Sequence, residues 1–184
     1  MTQTSDKALL KRILAGNHEA CVELVRQYHA PIYRLLVHLC RDAHLAEDLT
    51  QETFLIAWTK IATFKAASSL HTWLHTIAYR KFIDTCRRGE RTVRTTTETP
   101  LDAAQSNVAN PSESAMKTEQ ARRLHTALDR LVPTERDILV LHYLQGMSYQ
   151  EMSVVLEEPT GTLKWRTRQS LESLRTALEN LKVS

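Results

Sequence analysis

Apolar residues recur every three or four positions along most of the chain, the spacing that gathers side chains onto one face of an α-helix. A first stripe, Leu9, Leu10, Ile13 and Leu14, starts at a Ser5 or Asp6 cap and closes at Gly16. A second begins near Asn17 with Ala20, Leu24, Val25 and Tyr28, and Pro31, which has no amide N–H, is expected to kink or interrupt it before Ile32 to Leu39. The third is the most regular. From Asp42 onward, Ala46, Leu49, Thr50, Thr53, Phe54, Ala57, Trp58 and Ile61 share one face, leaving Glu47, Asp48, Gln51 and Glu52 on others. After a short loop, Ser68 or Ser69 caps a helix that carries Leu70, Trp73, Leu74, Ile77 and Ala78 and runs to about Arg88.

The pattern then lapses. Residues 92 to 114 are rich in Thr, Ser, Asn and Pro, with no run of large apolar residues to bury, and read as a linker. Periodicity resumes with Ala121, Leu124, Leu128 and Leu131. Past Pro133, Thr134 can cap a helix with Ile138, Leu139, Leu141 and Leu144 inside and Gly146 at its end. Ser148 and Glu151 form an S-x-x-E capping box that opens a helix of about two turns, and Pro159 separates it from a longer helix from Thr160 to about Leu181. A short helix, a tight break and a longer helix outline a helix-turn-helix.

Composition agrees. Only 4 of 184 residues are glycine and 5 proline, too few for the turns of a parallel α/β or all-β fold. No two glycines lie closer than fifteen residues apart, which excludes a phosphate-cradling glycine loop. Three cysteines without C-x-x-C spacing point to reduced thiols, most simply small buried hydrophobes at Cys21, Cys40 and Cys86. Neither a signal-peptide pattern nor a run of about 18 apolar residues is present, so the cytoplasm is expected and a membrane span is not.

The net charge of +3 says little until it is mapped along the chain. Residues 80 to 94 hold six cations, Arg80, Lys81, Arg87, Arg88, Arg91 and Arg94, against Asp84 and Glu90, a local excess of four. Trp73, Tyr79 and Phe82 lie just upstream, and aromatics beside cations suit stacked, unpaired bases. Trp73 also fits the apolar stripe, which leaves Tyr79 as the better candidate for exposure. In the last helix, Lys164, Arg168 and Gln169 can reach base edges or phosphates from roughly one side, and the first turn at Thr160 and Gly161 offers backbone amides to a phosphate. The alternative there is a solvated basic face on a packing helix. On the third helix, Leu55 and Ile56 fall outside the stripe beside acidic residues, which suggests a protein-binding surface. His71 and His75 are spaced to share a metal, yet the intervening residues supply no general base and no third ligand is evident nearby, so satisfied histidines are the simpler reading. No catalytic triad stands out.

At these residues the sequence resembles a sigma factor of the extracytoplasmic-function group, the smallest members of the sigma-70 family of bacterial transcription initiation factors. The segment Ala46 to Trp58, AEDLTQETFLIAW, resembles the region 2 core-binding helix. Ser69 to Leu74, with Ile77-Ala78 and Ile83-Asp84, resembles the promoter −10 segment, and Leu131 to Arg136 through Gly146 to Glu151 resembles region 4.

The resemblance implies an all-α fold of two helical domains, residues 1–92 and 117–184, joined by a flexible linker at 93–116. It implies as partners promoter DNA, an anti-sigma factor, and core RNA polymerase through the clamp helices of its largest subunit and the flap of the second-largest. No catalytic residue, metal or cofactor is implied. Asp48, Gln51, Glu52, Leu55 and Trp58 match the polymerase-binding helix. The loop from Phe64 and the helix after it match the part that captures a flipped −10 base and holds the melted strand, which assigns Phe64, Lys65, Ser68, Ser69, His71, Trp73, Tyr79, Arg80, Lys81, Arg87 and Arg88 to −10 DNA. The final helix matches the −35 reader, with Thr160, Gly161, Thr162, Lys164, Trp165, Arg166, Arg168 and Gln169 at the DNA. Ala66, Leu70, Arg80, Trp165, Thr167 and Gln169 depart from the residues usual in the family, all at specificity positions. Two rival readings remain: a helix-turn-helix regulator that does not replace sigma function, and a His-coordinated metalloprotein.

Overall fold

The computed structural model describes residues 2–64, 68–92 and 111–181, and every regular element among them is helical. Helix α1 (Thr2–Leu14) begins ahead of the expected cap, and Asp6 has a different task. It is buried, with Oδ1 accepting from the Tyr28 hydroxyl and Oδ2 from the Leu70 amide, each at 3.1 Å. A carboxylate offers acceptors only, so it suits two buried donors contributed by different helices.

Helix α2 (His18–Cys40) is capped by Asn17, whose side chain accepts from the Ala20 amide at 3.0 Å. Pro31 lies within it and does not interrupt it, contrary to the sequence expectation. An interior proline costs about 3 kcal/mol. Leu24, Tyr28, Ile32, Leu35, Leu36 and Leu39 are all buried on both sides of it, and at about 1.5–3 kcal/mol for each large side chain that stripe outweighs the proline.

Helix α3 (Ala43–Lys60) starts at Asp42, which accepts from the Leu45 amide at 2.9 Å. Thr50 and Thr53 face inward, their hydroxyls bonded to the carbonyls of Ala46 and Leu49. After a 3₁₀ turn (Ile61–Thr63), α4 (Leu70–Thr92) is capped by Ser69, whose Oγ accepts from the Thr72 amide at 3.1 Å.

Helix α5 (Pro111–Asp129) begins inside the segment read as linker, while residues 93–110 lie outside the described residues. Its first turns carry Glu, Ala, Met, Lys and Gln, good helix formers that lay down no apolar stripe, so hydrophobic periodicity could not register them. Helix α6 (Pro133–Leu139) takes Pro133 at its first positions with Val132 as N-cap, in place of the expected Thr134 cap. It continues into a π turn (Val140–Leu144), where each bond spans an extra residue and rotates the side chains beyond it; Leu144, expected inside, is 42% exposed. Gly146 comes next at φ +68°. Helix α7 (Tyr149–Leu156) shows both halves of the Ser148–Glu151 capping box, and α8 (Thr160–Asn180) completes the short-helix, long-helix pair.

The two halves pack on one another. Helix α4 lies against α7, and α2 against α6 and the π turn. One apolar core holds Leu36, Leu70 and Leu74 from the N-terminal half with Leu141, Met147, Met152 and Leu163 from the C-terminal half. A smaller cluster of Leu128, Leu131 and Leu139, with Leu124 and Leu174 against it, ties α5 to α6 and α8.

Candidate functional site

Three surfaces gather the residues singled out in the sequence. The first is the outer face of α3. Asp48 and Gln51 are exposed, Leu55 is 64% exposed, and Glu52 and Trp58 are half-buried. Trp58 borders an open groove of about 460 Å³ whose other lining residues are His18, Cys21, Val22, Val25 and Arg26. Glu52 forms an ion pair with Lys81 of α4, joining a residue expected at polymerase to one expected at DNA.

The second surface is α4 with the turn before it. Phe64 and Trp73 pack together, ring centroids 5.0 Å apart, and both lean on the core as half-buried side chains. Ser68 is half-buried, Ser69 is engaged as the helix cap, and Arg87 and Arg88 are exposed. Lys65 and Ala66 lie outside the described residues.

Tyr79 is not the exposed aromatic expected. It is half-buried, and its hydroxyl donates to Asp137 Oδ2 at 2.9 Å. Burial, and then the charge of Asp137, raise the Tyr79 hydroxyl above its ordinary range. Asp137 itself is 3% exposed, and burial pushes its carboxyl up to about 6. Arg80 donates to Glu157 Oε1 at 2.5 Å.

The histidine pair sits in the same seam. The His71 and His75 rings are 4.0 Å apart, and His75 is fully buried. Its Nδ1 lies 2.8 Å from the His71 carbonyl and its Nε2 3.3 Å from Gln145 Oε1. A neutral ring that donates from Nδ1 needs a donor at Nε2, which the Gln145 carboxamide supplies once its oxygen and nitrogen are exchanged. Burial, and then His71, hold the His75 ring down at about 4. Both nitrogens are therefore occupied, and among the described residues no three ligating side chains are placed to hold a metal. The cysteines are less buried than expected: Cys21 and Cys40 are half-buried and Cys86 is exposed.

The third surface is the outer face of α8. Leu163, Thr167 and Ser170 are buried and define its inner side, which leaves Gly161, Thr162, Lys164, Trp165, Arg168 and Gln169 exposed, Trp165 to 63%. Thr160 is half-buried. A Cβ added at Gly161 would meet only open space, as a close approach by a ligand requires. Lys164 Nζ stands 5.9 Å from the Tyr149 ring centroid. Arg166 is half-buried and ion-paired with Glu158, so it differs from its exposed neighbours.

Several residues of the seam between the halves were missed in the sequence, Thr72, Arg136, Asp137, Gln145 and Glu157, and Glu151 was read only as half of a capping box. Thr72 donates to Glu151 Oε1 at 3.0 Å, and Arg136 donates to the Leu39 carbonyl at 3.2 Å. The one local signal was Arg136-Asp137, two charges running directly into the apolar stripe at Ile138.

The family model for Sigma-70 region 2 matches residues 24–92, and that for Sigma-70, region 4 matches residues 121–181. The RNA polymerase sigma-H factor of Pseudomonas aeruginosa is 29% identical, over 98% of this chain and 97% of its own. The ECF RNA polymerase sigma factor SigK of Mycobacterium bovis is 32% identical, over 94% of this chain and 92% of its own. Among solved structures, CnrH in complex with the cytosolic domain of CnrY superposes with a TM-score of 0.71 at 22% identity, covering 95% of this chain and 97% of that one. RpoE of Bartonella quintana, solved with the anti-sigma factor NepR, superposes with a TM-score of 0.70 at 23% identity, covering 85% and 95%.

Proposed function

This chain belongs to the extracytoplasmic-function group of the sigma-70 family, and from that premise we propose that it docks on core RNA polymerase through α3 and reads promoter DNA through α4 and α8. The outer face of α8 carries the reading. Its inner side is fixed by burial, and Thr162, Lys164, Trp165, Arg168 and Gln169 project from the other as donors and a flat aromatic ring, at the spacing a helix needs to follow a major groove. The exposed first turn, with Gly161, lets a phosphate approach the amides.

On α3, Leu55 beside Asp48 and Gln51 offers an apolar anchor with a polar rim, which fits a protein partner better than a polyanion. On α4, the half-buried Trp73 offers a ring edge to unstacked bases and the exposed Arg80, Arg87 and Arg88 offer positive charge to their phosphates, while Tyr79 is turned to Asp137. The chain thus melts promoter DNA with binding energy and catalyses no reaction. It acts in the cytoplasm with polymerase; among the described residues no helix is long and apolar enough to cross a membrane. Control by an anti-sigma factor is part of the proposal, by analogy with the NepR complex of RpoE.

Runoff transcription with sigma-free core polymerase on a library of promoter fragments tests the reading. Start sites should appear only when the chain is added, and Lys164→Ala or Gln169→Ala should weaken −35-dependent initiation by about 1–3 kcal/mol, the worth of a base-edge contact. No start site together with no co-purification with core enzyme refutes it. Duplex binding without any need for polymerase would favour the regulator reading.

A further inference from the structure

Helix α8 turns one large apolar side chain directly away from its own domain. Leu163, Thr167 and Ser170 are buried and set its inward direction. At about 100° per residue, Trp165 points within about 20° of the opposite direction, and Arg168 and Gln169 follow one turn later, roughly 50° to either side of it. Gly161, one turn earlier on the same line, adds no side chain, and a Cβ there would meet only open space. The indole is 63% exposed, and of the large apolar side chains among the described residues only Leu55 is more so. Its charged sequence neighbours are engaged elsewhere: Lys164 Nζ stands 5.9 Å from the Tyr149 ring centroid, and Arg166 is ion-paired with Glu158. Glu172, two turns on along the same line, is exposed and acidic, so the stretch that accepts a polyanion ends between Gln169 and Glu172.

A helix that enters a major groove brings its most outward side chain closest to the base edges on the floor. Those edges are hydrogen-bonding groups at every base pair, and thymine alone adds an apolar C5-methyl. An indole has a single N–H and no acceptor, so it forms no bidentate pair with guanine or adenine. Over a G·C pair it would strip water from donors and acceptors without replacing it. Against thymine both parts of the ring are used: the apolar body buries the methyl, and Nε1–H has O4 as an acceptor. Arg168 and Gln169, on either side, carry the donors for flanking base edges or phosphates. Resting on the assignment of α8 to duplex DNA, we propose that Trp165 is a specificity-determining residue that selects a thymine in the −35 element through its 5-methyl group. A ring laid on sugar or phosphate would strengthen binding to every sequence alike, whereas a ring on the groove floor acts at one base pair.

The test uses holoenzyme reconstituted from the full chain and core polymerase, on templates randomised across the −35 window, with input and transcribed templates sequenced. Wild type should prefer thymine at least about fivefold at one position. Trp165→Ala, at an exposed site, should stay folded, lose that preference and keep the others. Trp165→Arg should move the same position towards guanine, with which arginine pairs bidentately. Deoxyuridine in place of that thymine removes the methyl alone. At subsaturating holoenzyme it should lower wild-type initiation about fourfold, the worth of one buried methyl, and leave Trp165→Ala within about 1.5-fold. A uniform loss across all sequences in Trp165→Ala overturns the proposal, as does a wild type indifferent to the uracil exchange. If no template yields a start site, the sigma reading falls instead. The uracil exchange is then read on duplexes selected from a random pool by the full chain alone, where the same pattern keeps Trp165 at a thymine methyl and its absence overturns that assignment.

Discussion

Asp6→Ala tests whether one buried carboxylate holds the start of α4 in place. Asp6 is 6% exposed and accepts from two donors that are themselves buried, the Tyr28 hydroxyl (4% exposed) and the Leu70 amide (0%). Its loss removes two hydrogen bonds to a charged acceptor and leaves two donors without water or partner, each worth about 1–3 kcal/mol, so the variant should lose roughly 3 kcal/mol. For a chain of this size about 2–4 °C of Tm is lost with each kcal/mol, which gives a fall of about 6–12 °C. Urea unfolding followed by far-ultraviolet circular dichroism measures the difference, and the Leu70 amide should lose hydrogen-exchange protection ahead of the rest of α4. Asp6→Asn keeps an acceptor and should cost less. In Asp6→Ala/Tyr28→Phe the orphaned hydroxyl is gone, so the double variant should be more stable than the sum of the single losses. Two results would sink the reasoning: Asp6→Ala within about 0.5 kcal/mol of wild type, or strict additivity in the cycle.

Lys81 should act on polymerase binding through Glu52, given their ion pair; Lys81→Met and Glu52→Gln should each weaken core affinity about two- to fivefold, with little further loss when combined, and an unchanged core affinity in Lys81→Met would leave Lys81 to DNA alone. Arg80→Ala should lower the salt slope of single-strand binding by about one, while Arg166→Ala, whose pair with Glu158 is half-buried, should leave the duplex slope unchanged and reduce stability; the reverse pattern would show Arg166 at a phosphate. Stability should fall as pH drops from about 6.5 to 4. His38 and His75, held down at about 4 chiefly by burial, stay neutral in the folded chain while the unfolded chain protonates near 6.5. Asp137, pushed up to about 6, opposes them by gaining its proton in the folded state first. Two protons against one leave about one net proton taken up on unfolding near pH 5, a slope of roughly 1.4 kcal/mol per pH unit, and a urea midpoint at pH 5 equal to or above that at pH 7 would contradict it.

What the sequence disclosed was local. The stripe from Ala46 to Ala57 became the buried side of α3, and Ser148 with Glu151 formed the capping box as spaced, because each depends on residues three or four apart. The exposed side of α8 was named from its long donors and the family resemblance, while its buried side, Leu163, Thr167 and Ser170, was not read as a stripe and Thr167 was placed among the specificity positions. What stayed hidden was carried by pairs distant in sequence. Asp6 and Leu70 are 64 residues apart, and Tyr79 and Asp137 are 58 apart. A polar residue at the margin of a stripe looks alike whether water or another domain covers it, so Tyr79 read as exposed. Pro31 was misjudged in the opposite sense, since a local rule on proline gave no weight to the burial on either side of it.

The seam also changes what the basic segment means. Six cations between residues 80 and 94 looked like a ready surface for a polyanion. Of these, Arg80 is held by a carboxylate of the other half and Lys81 by one on α3. Neither pair is worth much in water, about 0–1 kcal/mol, so a phosphate can replace either carboxylate at little cost. The exchange is nonetheless conditional. Arg80 is released when another anion displaces Glu157, and Lys81 when Glu52 is taken by another partner. With two of the six cations held by carboxylates of the same chain, the segment attracts a polyanion less than its composition suggests.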